Sequence, residues 1–164
     1  MSMGQIVLAR VDDRLIHGQV ITKWSKGMNT NALFVVDNVT AMDPFLKDIY
    51  TMSTSNTGMT IKVLSIDEAV EYWEKSDFED YRAILIFKSI AGAKEAIDKG
   101  LPIKKLNIGG IAKTKDSKFV VPNVAVKHED LNTLKEVEGN GTEVFFQVVP
   151  EAKLVNLKDA LKVY

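Results

Sequence analysis

Short apolar runs, several of them continuous and β-branched, alternate with helical patterns along nearly the whole chain. The runs are QIVLARV (5–11), ALFVVD (32–37), MTIKVLS (59–65), RAILIFK (82–88), KLNIGG (105–110), NVAV (123–126) and EVFFQVV (143–149). Continuous rather than alternating hydrophobicity marks strands covered on both faces, which is the habit of parallel sheets. Between the runs lie HGQVITKWSKG (17–27), NVTAMDPFLKDIYTM (38–52), IDEAVEYWEK (66–75), SIAGAKEAIDKG (89–100), HEDLNTLKEVEG (128–139) and NLKDALKV (156–163). In the first, which ends at Gly27 or just beyond, Val20, Ile21, Trp24 and Met28 share a side. In the second, Pro44 suits an early turn or a fresh helix start. Repeated β-α alternation predicts an α/β fold: one doubly wound domain over 1–164, with a mostly parallel sheet of about seven strands and helices on both faces.

In such sheets ligands bind beyond the carboxyl ends of the strands, near the point where strand order reverses. The expected edge carries Asp37, Lys88 with Ser89, and Gly109 with Gly110. It also carries RVDDRLIHGQV (10–20), a concentration of charge directly after the first strand. Within it, imidazole has an ordinary pKa of about 6.5, so His17 is a candidate nucleophile or base. Arg10 and Arg14 offer planar forks for phosphate or carboxylate, and Asp12 and Asp13 can orient the imidazole or restrain the arginines. A helix start at Gly18 and Gln19 favours an anion by about 0.3–1 kcal/mol when exposed. One charge-assisted hydrogen bond contributes roughly 1.5–3 kcal/mol, so an arginine should dominate. The same residues also fit a capping histidine beside solvated ion pairs, and spacing alone leaves both readings open.

Composition narrows the chemistry. Net charge is −1, from 21 basic and 22 acidic residues, which argues against a nucleic-acid partner held by phosphate neutralisation. The absence of cysteine removes disulfides and thiolate chemistry and fits a reducing cytoplasm. With two histidines more than 100 residues apart, no metal site is expected. Neither a signal peptide nor a run of about 18 apolar residues is evident, so membrane association is expected only through partners. No P-loop or GxGxxG occurs.

LARVDDRLIHGQVITKW (8–24) resembles the active-site signature of the enzyme IIB components of the mannose/fructose/sorbose family of the bacterial sugar phosphotransferase system (PTS). VVDNVTAMD (35–43), LIFKSI (85–90) and LNIGGIAKTK (106–115) sit where that family has related segments. The resemblance implies a cytoplasmic phosphocarrier, peripheral to a membrane transporter. A phosphorylated enzyme IIA would donate to His17 at Nδ1, and phospho-His17 would pass the group to a sugar held by the membrane IIC/IID complex. It further implies that Arg14 steadies the phosphoryl group, with Arg10 and Asp12 on matching positions of the loop and no cofactor. Where the family often carries an aromatic and an arginine after its double glycine, this chain reads GGIAKTKDSK, so Lys113 or Lys115 is expected to take that role as a point charge.

Around this core, Gly18, Gln19, Ser89, Gly109 and Gly110 are further candidates for the phosphoryl oxygens. For Gly109–Gly110 an amide nest competes with a turn needing positive φ, and for Ser89 a helix cap competes with ligand contact. His128 reads as a helix boundary, and Trp24 and Trp73 as core. A homo-oligomer is compatible with the sequence. The rival reading is a receiver-like module phosphorylated on aspartate, for which Asp67 is the candidate.

Overall fold

The computed structural model describes residues 4–18, 23–52 and 58–164. The first half holds β1 (Gln5–Val11), β2 (Ala32–Val36), α1 (Asn38–Ala41), α2 (Pro44–Met52), β3 (Thr60–Leu64), α3 (Ile66–Ser76) and β4 (Arg82–Phe87). The second holds α4 (Ile90–Asp98), β5 (Lys105–Ile108), β6 (Ser117–Val121), β7 (Val124–Lys127), α5 (His128–Gly139), β8 (Glu143–Phe146), β9 (Val155–Asn156) and α6 (Leu157–Ala160). Seven strands form one sheet in the order β3-β2-β4-β1-β5-β8-β9. All its pairings are parallel except the last, where the two-residue β9 runs antiparallel on β8.

The expected architecture is present, with differences at the ends. NVAV lies in β7, which pairs with β6 in a separate two-stranded sheet and not in the main one. β6 was not expected: SKFVV has Lys118 and an exposed Phe119 where a buried strand would be apolar. The helical pattern over 38–52 breaks in two at Asp43–Pro44. There Asp43 Oδ1 accepts from the Phe45 and Leu46 amides at 3.0 and 3.2 Å, and Pro44 opens α2. Proline suits that position because its missing N–H has no intrahelical acceptor to lose.

Each face of the sheet buries its own core. Ala9, Val11, Phe34, Val36, Leu85 and Phe87 pack under α3, α4, α5 and α6. Leu8, Leu33, Val35, Ile84 and Ile86 pack on the opposite face with Leu15, Ile16 and Trp24, joined by Met28, Ala41 and Tyr50. Full burial of such a side chain contributes about 1.5–3 kcal/mol, so both layers are held firmly. The two faces also locate the crevice. The chain leaves β1 along the second face to reach β2 on one side, whereas it leaves β5 along the first face, through β7 and α5, to reach β8 on the other. Neighbouring strands whose continuations diverge in this way open a cleft at their carboxyl ends. That cleft lies between β1 and β5.

Candidate functional site

Residues 12–17 fill the cleft. The loop turns tightly, with the Leu15 amide donating to the Asp12 carbonyl at 2.9 Å and Leu15 itself in the left-handed region at φ 57°. That conformation costs a leucine roughly 1–2 kcal/mol, offset by burial of its side chain in the second core. Asp13 ties the loop to the segment after β5: its amide donates to the Gly110 carbonyl at 2.9 Å, and its Oδ2 accepts from the Ala112 amide at 2.8 Å. Of the two adjacent aspartates, only Asp12 is turned inward.

Asp12 is fully buried and gathers the site. Its Oδ2 accepts from Arg10 Nη2 at 3.1 Å and Arg14 Nη2 at 3.0 Å, and lies 2.8 Å from His17 Nε2. Its Oδ1 accepts from the Arg14 amide and Nε, both at 3.0 Å. Burial pushes the carboxyl's pKa up and is the largest single influence. The hydrogen bonds from Arg14 and His17, with the charge of Arg10, together outweigh it and hold the group at about 2. Asp12 is therefore ionised at neutral pH and can only accept hydrogen bonds. The nitrogen of His17 that faces it must be the protonated one, so in the neutral ring the lone pair sits on Nδ1.

The two arginines divide the work. Arg14 keeps half of its side chain exposed, and its bond to Asp12 raises its pKa further. Arg10, expected at the phosphoryl group, is instead fully buried. Its Nη1 donates to Asn107 Oδ1 and, at 3.2 Å, to the Gln147 carbonyl; its Nη2 also donates to the Val148 carbonyl at 3.0 Å. Trp24 lies under the guanidinium, 5.2 Å from Cζ to ring centroid, and its Nε1 donates to the same Val148 carbonyl at 3.1 Å. With both terminal nitrogens committed inward, Arg10 holds Asp12 and presents no edge to a ligand.

Gly109 and Gly110 also differ from the expectation. Neither has positive φ, and neither amide is held open as an anion nest: Gly109 donates to the Val11 carbonyl at 2.7 Å, and the Gly110 amide approaches Asp12 Oδ2 at 3.4 Å. What requires glycine is space. A Cβ on Gly109 would press into the Arg10 guanidinium, and one on Gly110 would lie 3.0 Å from Arg14 Nη2 and 3.3 Å from Asp12 Oδ1.

Ser89 is the N-cap of α4, its hydroxyl oxygen accepting from the Gly92 amide at 3.0 Å, and none of the bonds to Asp12 comes from it. Ser89→Ala is expected to destabilise the protein by about 0.5–2 kcal/mol, checked by chemical denaturation. Asp37 likewise caps α1, accepting from the Thr40 amide at 3.1 Å. Gly18 is exposed at the rim beside His17, while Gln19, Val20 and Ile21 lie outside the described residues. Lys113 and Lys115 are exposed, and Lys113 donates to the Thr114 carbonyl. Away from the cleft, His128 opens α5 and meets the Tyr164 ring edge-on at a centroid distance of 5.4 Å. Trp73 packs against the first core. Asp67, the candidate of the receiver-like reading, is exposed in the first turn of α3 and pairs with Lys99 at 2.7 Å. Among the described residues no group of three or more histidine or carboxylate side chains is placed to hold a metal ion.

Asn107, the Gln147 and Val148 carbonyls, and the contact of Trp24 with Arg10 complete the site with no motif to mark them. Only Asn107 left a signal, as an amide inside the apolar run of β5.

The family described as "PTS system sorbose subfamily IIB component" matches residues 6–164. The crystal structure of manxB from Thermoanaerobacter tengcongensis is 37% identical, with a TM-score of 0.91 over 100% of this chain and 99% of that one. The sorbose-specific EIIB component of Klebsiella pneumoniae is 29% identical over 96% of this chain and 95% of its own length. The mannose-specific EIIAB component of Escherichia coli (strain K12) is 30% identical over 93% of this chain and 48% of its own, so the chain spans about half of that longer relative.

Proposed function

The chain belongs to the sorbose-subfamily IIB components of the sugar phosphotransferase system, and from that premise we propose that His17 is its transient phosphoryl carrier. One observation carries the assignment: the 2.8 Å contact between His17 Nε2 and an Asp12 carboxylate that stays ionised. It directs the Nδ1 lone pair away from the carboxylate, toward the donor.

In the forward step Nδ1 attacks the phosphorus of a phosphohistidine on enzyme IIA, and the donor's N–P bond breaks. The donor ring leaves with that electron pair. His17 then carries phosphorus on Nδ1 and a proton on Nε2, so the ring is cationic and its charge lies against Asp12 Oδ2. Arg14, anchored on one side by Asp12 and half exposed on the other, meets the phosphoryl oxygens. Such transfers depend mainly on positioning and charge stabilisation. In the second step a sugar hydroxyl held by the membrane IIC/IID subunits attacks phosphorus, the P–Nδ1 bond breaks with its electrons returning to the ring, and a base of the acceptor complex takes the hydroxyl proton. No helix among the described residues is long and apolar enough to cross a membrane. In this reading the chain works as one IIB domain on the cytoplasmic side and reaches the membrane through its partners.

The test is labelling from phosphorylated IIA. The wild-type adduct should be lost in acid and kept in alkali, and His17→Gln should take no label. Label persisting in His17→Gln, or an adduct labile in both media, would overturn the assignment.

A further inference from the structure

We infer that Asn107 is a positioning residue for the transfer step, acting through Arg10 and Asp12 on the tautomer and orientation of His17. The inference deepens the phosphocarrier reading and rests on it for its kinetic arm only.

Asn107 stands opposite Arg10 in the parallel register of β1 and β5, and both are fully buried. Neighbouring positions on this face, Leu8 and Phe145, are apolar, so an amide here is unusual for the layer. Its orientation is fixed from two sides. Oδ1 accepts from Arg10 Nη1, and Nδ2 donates to the Gln147 carbonyl at 3.0 Å, the same oxygen that accepts from Arg10 Nη1 at 3.2 Å. Arg10, Asn107 and Gln147 thus close a triangle that sets the rotation of the guanidinium about its own axis. The Trp24 ring bounds the guanidinium on one side, and Gly109 approaches too closely for it to move that way. That rotation aims Nη2 at Asp12 Oδ2.

Oδ2 is the shared point, since it also receives Arg14 Nη2 and His17 Nε2. A guanidinium deprived of its amide acceptor keeps only the Gln147 carbonyl on Nη1 and must turn to pair the N–H left over, because a buried charged donor without an acceptor is costly. The nearest acceptor with negative charge is Asp12, where the displaced arginine competes with His17 Nε2. Loss of that bond frees the imidazole to populate the other tautomer, whose Nδ1 carries a proton and cannot attack.

Two variants of the full chain test this, Asn107→Leu, which keeps the branching and the number of heavy atoms, and Asn107→Ser, which leaves room for a water to accept from Arg10. The readouts are the ¹⁵N chemical shifts of the His17 ring nitrogens in unphosphorylated protein, the single-turnover rate from phosphorylated IIA, and the melting temperature. In Asn107→Leu the Nδ1 and Nε2 signals should move toward each other as tautomers mix, and the rate should fall on the order of 10- to 100-fold. Asn107→Ser should show the same changes in smaller degree, and it decides the matter if the leucine variant does not fold. Unchanged ring shifts in the folded variants, with only the melting temperature lowered, would overturn the inference and leave Asn107 a packing residue. Failure of the wild type to take phosphate on His17 would instead overturn the carrier reading, and the ring shifts would still decide the role of Asn107.

Discussion

Asp12→Asn is expected to lower the unfolding free energy at neutral pH by about 3–5 kcal/mol, because it leaves Arg10 buried without its counter-charge. The same change lets the side chain donate as well as accept, so it no longer dictates which nitrogen of His17 carries the proton, and phosphoryl acceptance should be lost with it. Wild-type stability should also show a distinct acid limb. The carboxyl has an ordinary pKa of 3.8 and is held at about 2 in the folded protein. A depressed pKa stabilises the fold above the unfolded value, and that stabilisation disappears as pH falls through the folded one. The difference corresponds to about 2 kcal/mol, present above roughly pH 4 and lost toward pH 2. Urea titrations at a series of pH values check both points: the wild type should show the limb, and Asp12→Asn should be less stable throughout and lack Asp12's contribution to it. Asp13→Asn is the control. Asp13 accepts one surface hydrogen bond from the Ala112 amide, and its loss should cost only about 0.5–1.5 kcal/mol.

Gly109→Ala is expected to damage the site as severely as a change within it. The added methyl would overlap Arg10 Cζ and Nη2 and lie 2.8 Å from Nη1. The guanidinium cannot retreat, since Trp24, Asn107, Asp12 and two carbonyl oxygens hold it. Overpacking of this kind costs about 1–3 kcal/mol, and a displacement of about 1 Å passed through Asp12 to His17 should slow transfer on the order of 100-fold. Gly110→Ala meets the tip of the half-exposed Arg14, which can move into solvent, at 3.0 Å. Its stability cost should be the smaller of the two, since the nearest atom is the end of a flexible side chain and the buried Asp12 Oδ1 lies farther off, at 3.3 Å. Melting curves and single-turnover labelling of the two variants side by side distinguish close approach from any backbone requirement, because neither glycine has positive φ.

The strands that build the cleft were legible because double burial leaves continuous β-branched runs: ALFVV is buried at every position of β2, and RAILIF at all but the first of β4. The run EVFFQVV extends three residues beyond β8. Apolarity persists through Val149, but the Gln147 and Val148 carbonyls turn toward Arg10 and Trp24, which hydropathy does not record. That RVDDRLIH lies at the carboxyl ends of the strands was legible from the apolar run before it, whereas the strand order that opens the cleft there was not. The division of labour within it did not follow. Arg10 and Arg14 are the same residue type four positions apart, and only the strand register decides that one enters the protein while the other remains at its surface. Asn107 is legible in hindsight as an amide out of place, yet its partner lies 97 residues earlier in the chain.

That separation has a consequence for biogenesis. The carbonyls that anchor Arg10 lie 137 and 138 residues beyond it, so an emerging polypeptide carries its histidine long before the histidine has a defined proton. Loop closure over such a span waits for the intervening sheet to form. A nascent chain ending before residue 148 therefore carries every charged residue of the loop but lacks a carbonyl that holds Arg10 against Asp12.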